Sequence, residues 1–134
     1  MKKLLIIPIA LILLAGCKKK DKDLPPSPIP SIEIISVSPG TVTENEDSIV
    51  FQIAYKDGDG DLGENDPDAK NLFIIDNRIN LAEEFRIPLL APEGANISIA
   101  GTLNVELPGT GITNSSNSQG VTFTVYVKDR AGNE

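Results

Sequence analysis

The chain has 134 residues, with 12 lysines and arginines against 19 aspartates and glutamates, and a formal net charge of −7. It contains no histidine, no tryptophan and a single cysteine. An acidic surface repels a phosphate backbone, so the charge disfavours nucleic-acid binding. Because histidine, the usual general base and zinc ligand, is missing and only one cysteine is present, we expect the protein not to be an enzyme.

The first segment has the form of an export signal. Lys2 and Lys3 form a short positive region, and residues 4–14 are an apolar run. That run is shorter than the ~20 apolar residues that cross a bilayer as a helix, so it indicates a signal peptide instead of a membrane span. The run ends in LAGC, residues 14–17, which includes the single cysteine, Cys17.

This ending resembles the lipobox of bacterial lipoproteins, in which a branched apolar residue and two small residues precede a cysteine. The resemblance implies that residues 1–16 are a lipoprotein signal peptide. It also implies that Cys17 becomes an acylated N-terminus, carrying palmitate or a similar chain, anchored in the outer membrane of the cell envelope. The alternative is an ordinary thiol after an ordinary signal peptide. In lipoproteins of the Bacteroidota type, charges after the cysteine can direct surface export, so the periplasmic and surface faces both stay open.

Residues 17–30 are interpreted as the lipidated cysteine followed by a linker. The sequence KKKDKDLPPSPIPS, residues 18–31, is first charged and then proline-rich. Such a composition favours an extended polyproline II chain. We expect residues 18–30 to make no important tertiary contacts, and a single domain to occupy residues 31–134.

From residue 31 onwards, apolar and polar residues alternate with the period of two that is typical of half-buried strands. The pattern predicts strands at residues 32–37, 48–55, 71–76, 85–89, 97–107 and 121–127. We expect Gly101 to mark a bulge or bend, and Pro88 to place the fourth strand at a sheet edge. No window shows a sustained helical repeat, although INLAEEF, residues 79–85, could form a single helical turn.

Six strands in this order resemble strands A to F of immunoglobulin-like and fibronectin type III-like modules. The resemblance implies an all-β, immunoglobulin-like two-sheet sandwich. Residues 125–134, VYVKDRAGNE, indicate a strand that runs into a hairpin turn, and the last strand of such a sandwich is missing from the sequence given. Two explanations stay open: the sequence is cut before that strand, or the open edge pairs with another chain.

A dense group of acids follows the second predicted strand. This acidic loop, residues 57–68, reads DGDGDLGENDPD and holds no lysine or arginine. Like charges ~6 Å apart repel by roughly 0.7 kcal/mol per pair in water, so a compact loop benefits from a counter-ion. Carboxylates at every second residue, with glycines between them, can turn toward one centre and suit Ca²⁺, which takes about six to eight oxygens.

The predicted ligands of this calcium site are Asp57, Asp59, Asp61, Asp66 and Asp129. Asp129 is included because the loops after the second and sixth strands share one end of an immunoglobulin-like sandwich, where the linker should also enter. A helical EF-hand is excluded, since Leu62 stands where that loop needs glycine. The alternative to a metal site is a tight, solvated turn in which Asp129 caps its own hairpin.

Two classes of function fit these features. The first is a non-catalytic, lipid-anchored binding or spacer module, stabilised by calcium, with an unknown protein partner. The second is a glycan-binding lipoprotein of a polysaccharide-uptake system. Sugar-binding faces usually need exposed aromatic rings. The chain has four phenylalanines and two tyrosines, most of which fall on apolar strand faces, so we favour the first class.

Overall fold

The computed structural model describes residues 25–134, so the predicted signal peptide, Cys17 and the charged part of the linker lie outside the described residues. The strands are β1 Ser31–Ser38, β2 Ile49–Asp57, β3 Leu72–Asp76, β4 Leu81–Phe85, β5 Ile99–Leu107 and β6 Phe123–Val127. Within this range, no helix has the length and apolar character needed to cross a bilayer.

The strands form two antiparallel three-stranded sheets, in the orders β1-β2-β5 and β4-β3-β6. The all-β prediction is therefore confirmed, and the arrangement is consistent with the predicted immunoglobulin-like sandwich. Alternation along β2 and β3 turns every second side chain into the space between the sheets. Over residues 25–134, β6 pairs with β3 alone, and no strand lies along its other edge.

The fourth strand is not where the sequence pattern predicts it. Residues 79–85 do not form a helical turn, because Leu81–Phe85 is strand β4 and pairs along its whole length with β3. Pairing with a buried strand outweighs the local helix propensity of alanine and glutamate. β4 does lie at a sheet edge, as predicted, but Pro88 comes after the strand and does not belong to it.

The predicted bulge at Gly101 is also wrong. β2 and β5 pair without interruption, with Gly101 opposite Tyr55. A side chain at Gly101 would collide with the Tyr55 ring, since a Cβ there would lie 2.6 Å from the phenolic oxygen. Glycine is therefore required to let the ring lie across the strand. The break in register occurs instead in β1, between Ile34 and Ser36.

The hydrophobic core fills the space between the two sheets. Phe51 of β2 meets Phe123 of β6 edge to face, with ring centroids 5.3 Å apart, a favoured aromatic geometry. Two core residues come from loops and not from strands: Leu62, in the acidic loop, and Ile87, after β4. The buried apolar cluster consists of Ile49, Phe51, Ile53, Leu62, Leu72, Ile74, Ile87, Leu107 and Val127.

A buried amide holds the segment after β4 beside the sheet. The side chain of Asn71 accepts a hydrogen bond from the Ile87 N–H at 2.5 Å and donates one to the Ile87 carbonyl at 3.2 Å. Buried backbone N–H and C=O groups need hydrogen-bond partners, and the Asn71 side chain supplies them to Ile87 in place of a neighbouring strand. The same Ile87 carbonyl accepts from the N–H of Glu64 at 2.9 Å, so this segment fixes the far side of the acidic loop.

A polar network closes the opposite end of β3. The Arg78 guanidinium binds Asp76 at 2.5 Å and also donates to Thr110 Oγ1 at 2.7 Å and Gln119 Oε1 at 3.2 Å. The hydrogen bonds from Arg78 hold the pKa of the buried Asp76 carboxyl below its ordinary value. Asp76 thus has a cation as its partner.

Candidate metal centre

The acidic loop begins where β2 ends, and its backbone contacts the linker and the segment before β5. The Gly58 N–H donates to the Ser27 carbonyl of the linker at 2.8 Å, and the Ile97 N–H donates to the Asp59 carbonyl at 3.2 Å. The prediction that the linker enters at this end is therefore confirmed. The prediction that residues 18–30 make no important tertiary contacts is wrong at Ser27, because an extended proline-rich chain leaves its carbonyls free to accept hydrogen bonds.

Leu62 joins the loop to the core. Its side chain is fully buried, with 0% of its surface exposed, and its N–H donates to Asp57 Oδ2 at 2.7 Å. A leucine in a run of acids therefore has two roles. It inserts an apolar side chain under the loop, and it closes the turn that brings Asp61 back toward Asp57.

Three carboxylates converge above this turn. One oxygen from each of Asp57, Asp59 and Asp61 lies within 4.8 Å of the other two, and we call these residues the aspartate triad. Asp57 is nearly enclosed, with 2% of its surface exposed. The Oδ1 atoms of all three residues are buried and have no hydrogen-bond partner. Burying a carboxylate oxygen without a partner costs free energy, and a bound cation would offset that cost. The triad therefore has the oxygen ligands of a cation site and could hold a metal ion.

The electrostatics of Asp61 reflect this crowding. Burial, followed by the negative charges of Asp129, Asp59 and Asp57, raises the pKa of Asp61 to about 6. A hydrogen bond from the Ala131 N–H to Asp61 Oδ2, at 3.1 Å, acts in the opposite direction. The ion pairs of residues 25–134 lie elsewhere, at Asp76 and at Glu134, so no lysine or arginine in this range forms an ion pair with the triad.

The loop after β6 packs against the triad, as predicted for this topology. The Arg130 N–H donates to the Asp61 carbonyl at 3.3 Å, and the Arg130 guanidinium donates to the Gly63 carbonyl at 2.7 Å. Asp129 is buried beside Asp61, but its two carboxylate oxygens accept hydrogen bonds from the backbone and side-chain nitrogens of Asn133, each at 2.7 Å. It therefore caps its own turn and also adds negative charge to the site.

Asp66, the remaining predicted ligand, is not part of the triad. It lies on the exposed side of the loop, where its Oδ1 accepts from the Asp68 N–H at 2.9 Å and its carbonyl accepts from the Ala69 N–H at 3.2 Å. These bonds close a local turn, which is the ordinary role of aspartate in such sequences. The predicted convergence therefore holds only for the three aspartates that are separated from one another by single glycines.

Sequence reasoning missed the residues that position the triad without binding anything: Ser27, Leu62 and Ala131. Of these three, only Leu62 could have been identified from the sequence, because it is the single apolar side chain larger than proline in the acidic loop. Comparison with protein-family models, curated proteins and solved structures found no match. The chemistry of the site therefore follows from its donor atoms alone. Three carboxylates, without nitrogen or sulfur ligands, suit a hard cation.

Proposed function

We propose that the protein is a non-catalytic, lipid-anchored module of the cell envelope, and that one Ca²⁺ stabilises the end of the domain nearest its tether. The observation that carries this proposal is the set of three buried, unpartnered oxygens from Asp57, Asp59 and Asp61. The linker contacts the same end through Ser27. The cation would thus stabilise the acidic loop at the place where the membrane tether is connected to the domain.

Calcium fits the triad better than magnesium. Mg²⁺ keeps most of its water and is usually bound by one or two carboxylates, whereas Ca²⁺ accepts several carboxylates at flexible angles. Three aspartates supply part of a calcium shell, and water can complete it. Sites in extracellular modules commonly have dissociation constants of about 0.1–1 mM, which is sufficient where free calcium is ~1 mM.

A binding or spacing role is favoured over catalysis. The sequence has no histidine, and its single cysteine is the predicted lipid attachment site. Paired carboxylates that cleave glycosides stand about 5–9.5 Å apart across a sugar-sized space. The triad oxygens are closer than this, within 4.8 Å, and Asp57 is enclosed. Such a group is suited to holding an ion.

A protein partner is also favoured over a glycan. The rings of Phe73 and Tyr126, on neighbouring strands, stack on each other with centroids 4.6 Å apart and planes 10° from parallel. Both side chains are half-buried, and each ring uses one face on the other. A sugar-binding platform needs open ring faces, so this pair gives little support to glycan capture.

The calcium part of the proposal is tested on the full chain, purified in detergent. One Ca²⁺ should bind per chain with an affinity of ~0.1 mM. In ~1 mM calcium this corresponds to a stabilisation of roughly 1.4 kcal/mol and a rise in melting temperature of about 6 °C. Calorimetric titration and thermal unfolding with Ca²⁺, Mg²⁺ or EGTA measure both quantities. Magnesium should act more weakly, and equal melting curves in calcium and EGTA would refute the metal site.

The anchor has its own test. Cys17→Ser should move the protein from the membrane fraction to the soluble fraction and abolish incorporation of labelled palmitate, because two or more acyl chains provide stable membrane attachment. Ser27→Ala, in the same exported segment, is the control and should stay in the membrane fraction. If Cys17→Ser remains there as well, the lipoprotein assignment is wrong.

A further inference from the structure

We infer that occupation of the aspartate triad controls the docking of the linker onto the domain, so that the tether is stiff with calcium bound and swivels without it. This inference rests on the proposed calcium site. The residues that couple the two are Gly58, in the acidic loop, and Ser27, in the linker. The class of device is an order–disorder transition of a short segment.

Gly58 lies between two residues of the triad. Asp57 and Asp59 each contribute an oxygen to the cluster, and the N–H of the residue between them donates to the Ser27 carbonyl at 2.8 Å. Because a cation would fix the side chains on both sides of Gly58, it would also fix the direction of this N–H. The metal and the linker therefore act on the same short stretch of backbone, residues 57–59.

The contact between loop and linker is backbone against backbone. A Cβ added at Gly58 would overlap the Ser27 carbonyl oxygen and would lie 2.6 Å from the carbonyl oxygen of Pro26. Gly58 does not have a positive φ, so its lack of a side chain serves the approach of the linker and not a special turn. The sequence thus places glycine where only glycine lets the linker dock.

The docked linker is held by few interactions. Ser27 Oγ accepts from the Ile29 N–H at 3.1 Å, and Pro30 is buried, which together shape the segment. In contrast, 51% of the Ile29 surface is exposed. A cavity of about 300 Å³ remains between the linker and the start of β5. A segment with one hydrogen bond to the loop and little apolar burial belongs to the low-stability part of a fold.

Removal of the ion should therefore release the linker. Without a cation, three carboxylates within 4.8 Å of one another repel, and the loop relieves the repulsion by separating Asp57 from Asp59. That movement turns the Gly58 N–H away from Ser27. The linker then loses its hydrogen bond to the loop, and the domain becomes free to reorient relative to the membrane.

The test measures backbone order in the linker of the ¹⁵N-labelled full chain, in detergent. In calcium, the order parameters of the Ser27 and Ile29 amides should be about 0.85, and in EGTA they should fall below about 0.6. Gly58→Ala should keep these values low even in calcium, because the added methyl group blocks docking. It retains the three carboxylates, so it should keep a calcium-dependent rise in melting temperature. Gly120→Ala is the control, since nothing lies within 4 Å of a Cβ there, and it should behave like the wild type.

Failure of this inference and failure of the calcium site give different results. If calcium raises the melting temperature but the Ser27 and Ile29 order parameters are the same in calcium and EGTA, the coupling is refuted and the site stands. A rigid linker in Gly58→Ala would refute the coupling as well. If calcium changes neither the melting temperature nor the linker, the site itself is refuted and the coupling falls with it.

Discussion

Leu62→Ala should destabilise the domain by about 3 kcal/mol and remove most of its response to calcium. The side chain is fully buried in the core cluster, and truncation of buried leucines costs about 2–5 kcal/mol. The second effect follows from position. Without the buried leucine side chain, the loop is no longer packed against the core, and the N–H of residue 62 moves away from Asp57 Oδ2. The triad then loses the turn that brings its members together.

Urea unfolding in calcium and in EGTA measures both effects. Leu81→Ala is the control, because this strand leucine has 54% of its surface exposed and should change stability by less than about 1 kcal/mol. The calcium-dependent stabilisation should persist in Leu81→Ala. A Leu62→Ala protein that is destabilised but gains as much from calcium as the wild type would show that the loop keeps its shape without the core contact.

Asp59→Asn should have opposite effects with and without calcium. Two like charges 4.8 Å apart, the upper limit within the triad, repel by about 0.9 kcal/mol even at the dielectric constant of water. Removing one charge should therefore raise the free energy of unfolding in EGTA by about 1 kcal/mol. In ~1 mM calcium the same change should lose most of the roughly 1.4 kcal/mol that binding supplies, so the variant becomes no more stable than the wild type.

This crossover distinguishes a metal site from a simple acidic turn. If the loop were only a turn, Asp59→Asn would have the same effect in calcium and in EGTA. Asp66→Asn is the matched control, because Asp66 is acidic, lies in the same loop and is outside the triad. It should leave the calcium-dependent stabilisation unchanged. A loss of that stabilisation in Asp66→Asn would mean that Asp66 joins the site when the ion binds.

The alternation of apolar and polar residues was sufficient to predict most of the strands. In an extended chain successive side chains point to opposite faces, so a period of two in the sequence translates directly into a buried face. β2 shows this plainly, because Ile49, Phe51 and Ile53 are all buried in the core. β4 was not predicted because its residues are largely exposed on both faces of the strand, so they show no alternation of apolar and polar residues. Such an edge strand forms because it pairs with a neighbouring strand, here β3.

The triad was predictable for a similar local reason. Aspartates at alternate positions with glycine between them lie on one short piece of chain, which can bend toward a single centre. Asp57, Asp59 and Asp61 meet this condition, and the structure brings them together. Asp66 does not meet it, because Leu62 and Gly63 turn the chain into the core and toward the segment after β4 before Asp66 is reached.

Only the tertiary structure decided which carboxylate oxygens lack a partner. Ala131 donates to Asp61 across 70 residues of sequence, and Asn133 occupies both oxygens of Asp129. The linker, which precedes β1 in the sequence, accepts a hydrogen bond from the Gly58 N–H through Ser27. Composition and periodicity describe what a segment can form by itself. Hydrogen bonds between segments far apart in the chain depend on where the packed sheets place the loops, and these bonds determine what the loop can bind.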